Sequence, residues 1–246
     1  MIKRLSAILG LICVIVFCIA AIMMYRTEQD IYRVTMIAMV VFGATIYILS
    51  NQIDWWFFKK IPPKIDDLFK SKWLFMDPFY QSLNKEESAL FEHRMALYIE
   101  AKEWIPKQFE IVPSEIQHII AYYAVITSWE SGKYLYEPYD RIVVYAHAFV
   151  TPEIPNTFHH VEKYQEDGVL LFTADSLQPV LQKIKPFFNP ALYIFLTIDA
   201  PKESNAFDWD KFHQKTGISK NNVEEIIGKE VTIDYNALEN FMYFYK

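Results

Sequence analysis

The sequence predicts an α+β fold: an N-terminal two-helix transmembrane hairpin followed by a single cytoplasmic domain. Three observations carry this reading. Leu5–Tyr25 and Val34–Ile53 are uncharged runs lying almost back to back. Ile61-Pro62-Pro63 follows them and blocks helix continuation. After residue 80, helical spacing of apolar residues alternates with short segments rich in β-formers. The expected organisation is a hairpin over 1–60, with helices at about 5–25 and 34–53, a juxtamembrane linker over 61–76 and the domain over 77–246.

Each uncharged run is long enough to cross a hydrocarbon core of about 30 Å at about 1.5 Å rise per residue. Only Arg26–Arg33 separates them. Lys3 and Arg4 before an apolar run resemble the start of a signal peptide. The run is long, however, and ends in Ile22-Met23-Met24, which is no small-residue cleavage site, and the residues before Cys13 and Cys18 make a poor lipid-attachment box. The sequence therefore reads as a retained anchor.

Lysine and arginine placement gives the orientation. Lys3 and Arg4 precede the first run, and Lys59, Lys60 and Lys64 follow the second, with Lys70 and Lys72 beyond. The intervening turn holds only Arg26 and Arg33. Both termini are thus expected in the cytoplasm, as a multi-pass protein of the cytoplasmic (inner) membrane. Trp55 to Phe58 then fall at the interface, where amphipathic rings settle.

Hydrophobic residues make up 52% of the chain and aromatics 17%, and the formal net charge is −6. With the basic residues gathered near the membrane, the distal part is more acidic still, which argues against nucleic-acid binding. Both cysteines lie in the first apolar run, so the domain has no disulfide and no thiolate metal site. Six glycines leave little for a phosphate-cradling loop.

Lys64 to Phe79 reads as a short amphipathic segment near the bilayer. Asn84 to Trp104 reads as a helix, with Asn84 as cap and Glu87 three residues on. A second helix is expected from Pro113-Ser114, capped by Gln117, with Ile116, Ile119, Ile120, Tyr123 and Ile126 on its apolar face. Arg141–Val150 and Gly168–Thr173 read as strands and Ser176–Lys183 as a brief helix. Asn189–Asp199 is apolar; it is expected as a buried helix, although periodicity alone does not separate helix from strand over so short a run. Residues 201–222 read as a polar loop, and Asp234–Tyr245 as a closing aromatic helix.

The order of these elements resembles a known family. Asp77-Pro78-Phe79-Tyr80-Gln81-Ser82-Leu83, then Phe91-Glu92-His93-Arg94 and Lys102-Glu103-Trp104, is similar to the opening of MtfA-like zinc-dependent peptidases. The Glu115–Thr127 helix, the Ile142, Tyr145 and Phe149 pattern and the Gly168–Thr173 strand continue the series. The resemblance covers about 77 to 199 and implies a zincin-like domain and a bacterial setting. It also implies a His-Glu-x-x-His helix in which two imidazoles hold zinc and the Glu acts as general base. The matching positions here are Tyr193, Ile194 and Thr197. None can serve as a zinc imidazole or as a general-base carboxylate. A late aromatic helix supplies the family's third ligand; Glu239 is its remnant in one register, and the ligand position falls at Lys246 in another.

The expected reading is therefore a membrane-anchored, non-catalytic relative that binds a protein or peptide partner, regulatory in character. It uses no cofactor or metal and has no catalytic residues. The alternatives are an active zinc-dependent metallopeptidase with an unrecognised metal site, and a membrane-assembly module unrelated to peptidases. Among the histidines, His159-His160 is expected as a surface pair pointing to opposite sides. His93 and His118 fall on helices, His147 in a strand and His213 in a polar loop, all as structural residues.

Overall fold

The computed structural model describes residues 4–199 and 207–244 and divides into two compact units, one up to Pro63 and one from Lys64. Lys246 and residues 201–206 lie outside the described residues.

The first unit is α1 (Leu5–Thr27), α2 (Asp30–Ile48) and α3 (Ser50–Lys60). Helices α1 and α2 are long and apolar enough to cross a membrane. The second helix starts at Asp30 rather than Val34, because Asp30 suits the positive end of the helix dipole and pairs with Arg33 at 3.1 Å. It ends at Ile48, where Leu49 leaves helical geometry and α3 takes over. Only Ser6 and Ala20 of α1 are buried, and no residue of α2 is. Helices of a soluble core would be covered, whereas within this unit the apolar surfaces of both helices are bare. The one buried carboxylate of this unit is Asp54, which accepts the Ser6 N–H at 2.8 Å and its hydroxyl at 2.7 Å.

The second unit contains α4 (Asp67–Lys72), a 3₁₀ turn (Leu74–Met76), α5 (Pro78–Ser82), α6 (Lys85–Ala101), β1 (Glu103–Lys107) and α7 (Ser114–Thr127). There follow β2 (Arg141–Tyr145), β3 (Val161–Tyr164), β4 (Val169–Thr173), α8 (Ala174–Leu181), α9 (Pro190–Asp199), α10 (Trp209–Thr216), α11 (Lys220–Ile227) and α12 (Tyr235–Phe244). The sheet order is β1-β2-β4-β3. Strands β1, β2 and β4 run parallel, and β3 pairs antiparallel with β4 at the edge. Ile142, Val144, Leu170 and Phe172 alternate onto one buried face, against which Phe195 of α9 packs.

Residues shared with the family pattern brace this framework. Asp77 caps α5 and accepts the Tyr122 hydroxyl at 2.6 Å. Tyr80 donates to Glu92 at 2.5 Å, and Lys70 pairs with the same carboxylate at 2.7 Å. Arg94 donates to the Trp129 carbonyl at 3.1 Å and lies over the Trp129 ring. Lys102 is buried with its ammonium on the carbonyls of Leu135 and Tyr139, and burial lowers its pKa to about 8.

Several sequence expectations are corrected. The Asn84 capping box forms, but its helix stops at Ala101, because Lys102 turns extended to reach those carbonyls. Glu103 and Trp104 open strand β1, whose Pro106 is tolerated because β1 lies at a sheet edge. Helix α7 has no side-chain cap; Gln117 instead donates back to the Val112 carbonyl at 3.4 Å. Strand β2 ends at Tyr145, and Phe149 makes only an isolated bridge to His159. The expected loop to Asn222 contains α10 and part of α11. Asp208 caps the first and a Ser219–Asn222 capping box starts the second, while Phe212, Val223, Ile226 and Ile227 bury one side.

Candidate functional site

Helix α9 carries Tyr193, Ile194 and Thr197, the three positions singled out by the sequence resemblance. The Asn189 carboxamide accepts the Leu192 N–H at 3.1 Å at the helix start, and α9 packs against α7, α12 and β3. Tyr193, Ile194 and Thr197 all line one cavity of about 510 Å³. Its other walls come from β3 (Val161, Lys163), from Ile227 at the end of α11, and from the Val231–Asn236 segment that leads into α12. The floor is apolar and the rim carries Glu153, Lys163 and Asp234.

Each of the three positions is occupied in a way that suits packing. Tyr193 is buried, and its phenol oxygen accepts the Asp234 N–H at 3.0 Å. Burial pushes its pKa far up, so it stays neutral. Ile194 is 4% exposed, so an isoleucine rather than a carboxylate meets the cavity. The Thr197 hydroxyl donates to the Ile194 carbonyl at 2.7 Å and accepts from the Lys163 ammonium at 2.9 Å. Lys163 also donates to the Thr197 carbonyl at 2.9 Å, placing a cation at the negative end of α9.

Zinc does not fit these residues. Of the three carboxylates on the cavity, Glu153 is exposed, Glu162 is held by His159 at 2.8 Å, and Asp234 accepts the Ala237 N–H at 3.0 Å. Among the described residues, no three His, Cys, Asp or Glu side chains form a group that could hold a metal ion. Glu239 is exposed on α12 and does not line the cavity, whereas Tyr235 and Asn236 of the same helix do.

The histidines are more deeply integrated than a surface pair. His159 is fully buried; its Nδ1 meets the Thr157 carbonyl at 3.0 Å and its ring lies edge-on to Phe149. Burial alone would lower its pKa, but hydrogen bonds to Glu162 and Thr157 and the Glu162 charge raise it. His160 faces elsewhere, with Nδ1 2.9 Å from Thr173 Oγ1 and 3.2 Å from Asp175 Oδ1. His147 lies beyond the end of β2, 3.4 Å from the other Asp175 oxygen. His118 is buried on α7, where desolvation lowers its pKa. His213 is on α10 rather than in a loop.

The sequence resemblance singled out Tyr193, Ile194 and Thr197, and helical spacing set Tyr193 beside Thr197. It missed Lys163 and Asp234, which reach the cavity from β3 and from the turn before α12. No local pattern marks either one.

Residues 59–172 match the family model described as glucose-regulated metallo-peptidase M90. The match takes in α4 to β4 and ends at Phe172, before helix α9. No curated protein and no solved structure matches the chain.

Proposed function

We propose, for a chain whose residues 59–172 make it a relative of the MtfA-like metallopeptidases, a membrane-anchored protein that binds a protein or peptide partner without hydrolysing it. One observation carries this reading. A cavity of about 510 Å³ lies on α9, lined by Tyr193, Ile194 and Thr197, the residues that the resemblance matches to the zinc ligands and general base. An apolar floor with a few polar groups on its rim suits the side chain of an extended peptide. The uncovered apolar helices α1 and α2 support the anchor. Lys59 and Lys60 in the last turn of α3, with Lys64 beyond it, support a cytoplasmic location for both termini.

Elemental analysis of the purified full chain tests the chemistry. No stoichiometric zinc and no cleavage of a peptide library are expected. One zinc per chain with peptide cleavage would return the protein to the active hydrolases. Partner binding is tested by capture from native membranes with the wild type and with Thr232→Trp, which fills the cavity from its exposed rim. A partner retained equally by both would place its binding elsewhere.

A further inference from the structure

The stretch from Lys64 to Met76 has two apolar faces. Ile65, Phe69, Trp73 and Leu74 are buried in the core. Leu68, Phe75 and Met76 are turned out, at 55%, 50% and 63% exposure. Leu68 and Lys72 stand four residues apart on α4 and so share a side of that helix. A second stretch joins this surface. Trp73 Nε1 donates to the Val180 carbonyl at 3.4 Å, and the Lys183 ammonium donates to the Trp73 carbonyl at 3.1 Å. These ties hold the loop after α8 against the 3₁₀ turn, and Met76, Lys183, Ile184 and Lys185 line one shallow depression. Ile184 is itself half exposed.

The charge of this surface runs against that of the molecule. Lys64, Lys70, Lys72, Lys183 and Lys185 face Asp66, Asp67 and Asp77, on a chain of net charge −6. Lys70 is committed to Glu92, and Asp77 is enclosed by the Tyr122 hydroxyl and the α5 N–H groups. Exposed Lys64 and Lys72 stand four residues to either side of Leu68, and exposed Lys183 and Lys185 flank Ile184 in sequence, with Lys183 also held on the Trp73 carbonyl and Asp66 and Asp67 as the opposing charges.

We propose that this surface is a peripheral membrane-docking face that seats the domain on anionic lipid. Leu68, Phe75, Met76 and Ile184 enter the boundary between headgroups and acyl chains, and the flanking lysines meet the phosphates. Exposed apolar groups flanked by cations match an anionic bilayer surface better than they match a protein partner of this acidic chain's own kind. Covalent reach agrees: Lys60 closes the last helix of the apolar unit, and the chain from there to Leu68 extends at most about 28 Å. The inference rests on the membrane-anchor reading above.

The test uses the full chain, one copy per lipid nanodisc, with Cys13→Ser and Cys18→Ser. Single nitroxide labels are placed at Met76→Cys or Ile184→Cys, with Leu90→Cys on α6 as an exposed control. Accessibility to oxygen is compared with accessibility to a water-soluble nickel chelate. In discs of phosphatidylcholine with about 30% phosphatidylglycerol, the oxygen-to-nickel ratio at 76 and 184 is expected to exceed that at 90 by about threefold or more. Pure phosphatidylcholine discs, or Lys64→Glu with Lys72→Glu, should bring the ratio back toward the control. Aqueous behaviour at both positions in the anionic discs would overturn the docking face and leave the anchor standing. Equal protection in neutral discs would overturn its anionic character. Failure of the chain to enter discs at all would overturn the anchor reading and the docking with it.

Discussion

The phenol oxygen of Tyr193 accepts the backbone N–H of Asp234 at 3.0 Å, and Asp234 in turn accepts the Ala237 N–H at the start of α12. Tyr193 thus ties helix α9 to the entry of the last described helix. Both residues line the same cavity.

Tyr193→Phe keeps the ring and removes the acceptor. The Asp234 N–H then loses its partner in a partly buried setting, and the domain should lose about 1–3 kcal/mol in denaturant unfolding. Wild-type stability in this variant would show that the tie contributes nothing.

Restoring only the motif should not restore chemistry. Tyr193→His with Ile194→Glu and Thr197→His supplies two imidazoles and a carboxylate, but Glu239 faces away and Lys163 holds its ammonium on Thr197. An ionised Glu placed where Ile194 is buried also carries a desolvation cost. Neither bound zinc nor peptide cleavage is expected. Zinc-dependent cleavage by this triple variant would show that the rest of an active site survives.

Lys102→Met tests the buried ammonium. The substitution removes a costly buried charge, yet it leaves the Leu135 and Tyr139 carbonyls without their donor. The second effect should dominate, with a loss of about 2–3 kcal/mol read from the unfolding midpoint. A more stable variant would show that desolvation of the ammonium is the larger effect.

His159 gives stability a pH dependence with a definite sign. Its folded pKa is raised, so its contribution is fully present below the unfolded value of about 6.5 and is lost as pH rises through the folded value. His118 is shifted the other way, so the comparison must be made against His159→Gln. The stability difference between wild type and His159→Gln should shrink as pH climbs above about 6.5. A difference that grows with pH would refute the assignment.

Reporter fusions test the topology. A reporter joined after Lys246 should be active only in the cytoplasm, and one inserted within Thr27–Asp30 only outside it. A C-terminal reporter active outside the cytoplasm would reverse the orientation drawn from Lys59, Lys60 and Lys64.

What could be read from sequence divides along physical lines. An uncharged run is a one-dimensional property, and α1 and α2 were visible for that reason. The Asn84–Glu87 capping box is local too, and it forms as read. Helices α10 and α11 had readable caps in Asp208 and Ser219, but sparse apolar residues made the stretch look like a loop. Phe212 and Val223 declare themselves only once they are buried together. The same distinction runs through the site. Helical spacing placed Tyr193 and Thr197 side by side, whereas Lys163 and Asp234 arrive through tertiary packing alone. His159 and His160 do point to different partners, Glu162 and Asp175, but burial of the first depends on Phe149 coming from another segment.

The bond between Ser6 and Asp54 links the two ends of the apolar unit. A carboxylate near the end of the apolar unit has both of its donors on the first turn of α1. Without α1 the Asp54 carboxylate would lose both of these donors, and a group that is 7% exposed beside that helix would have to find water or a proton instead. The opening turn of α1 and the middle of α3 are therefore answerable to one another, and a change at either is felt at the far end of the unit.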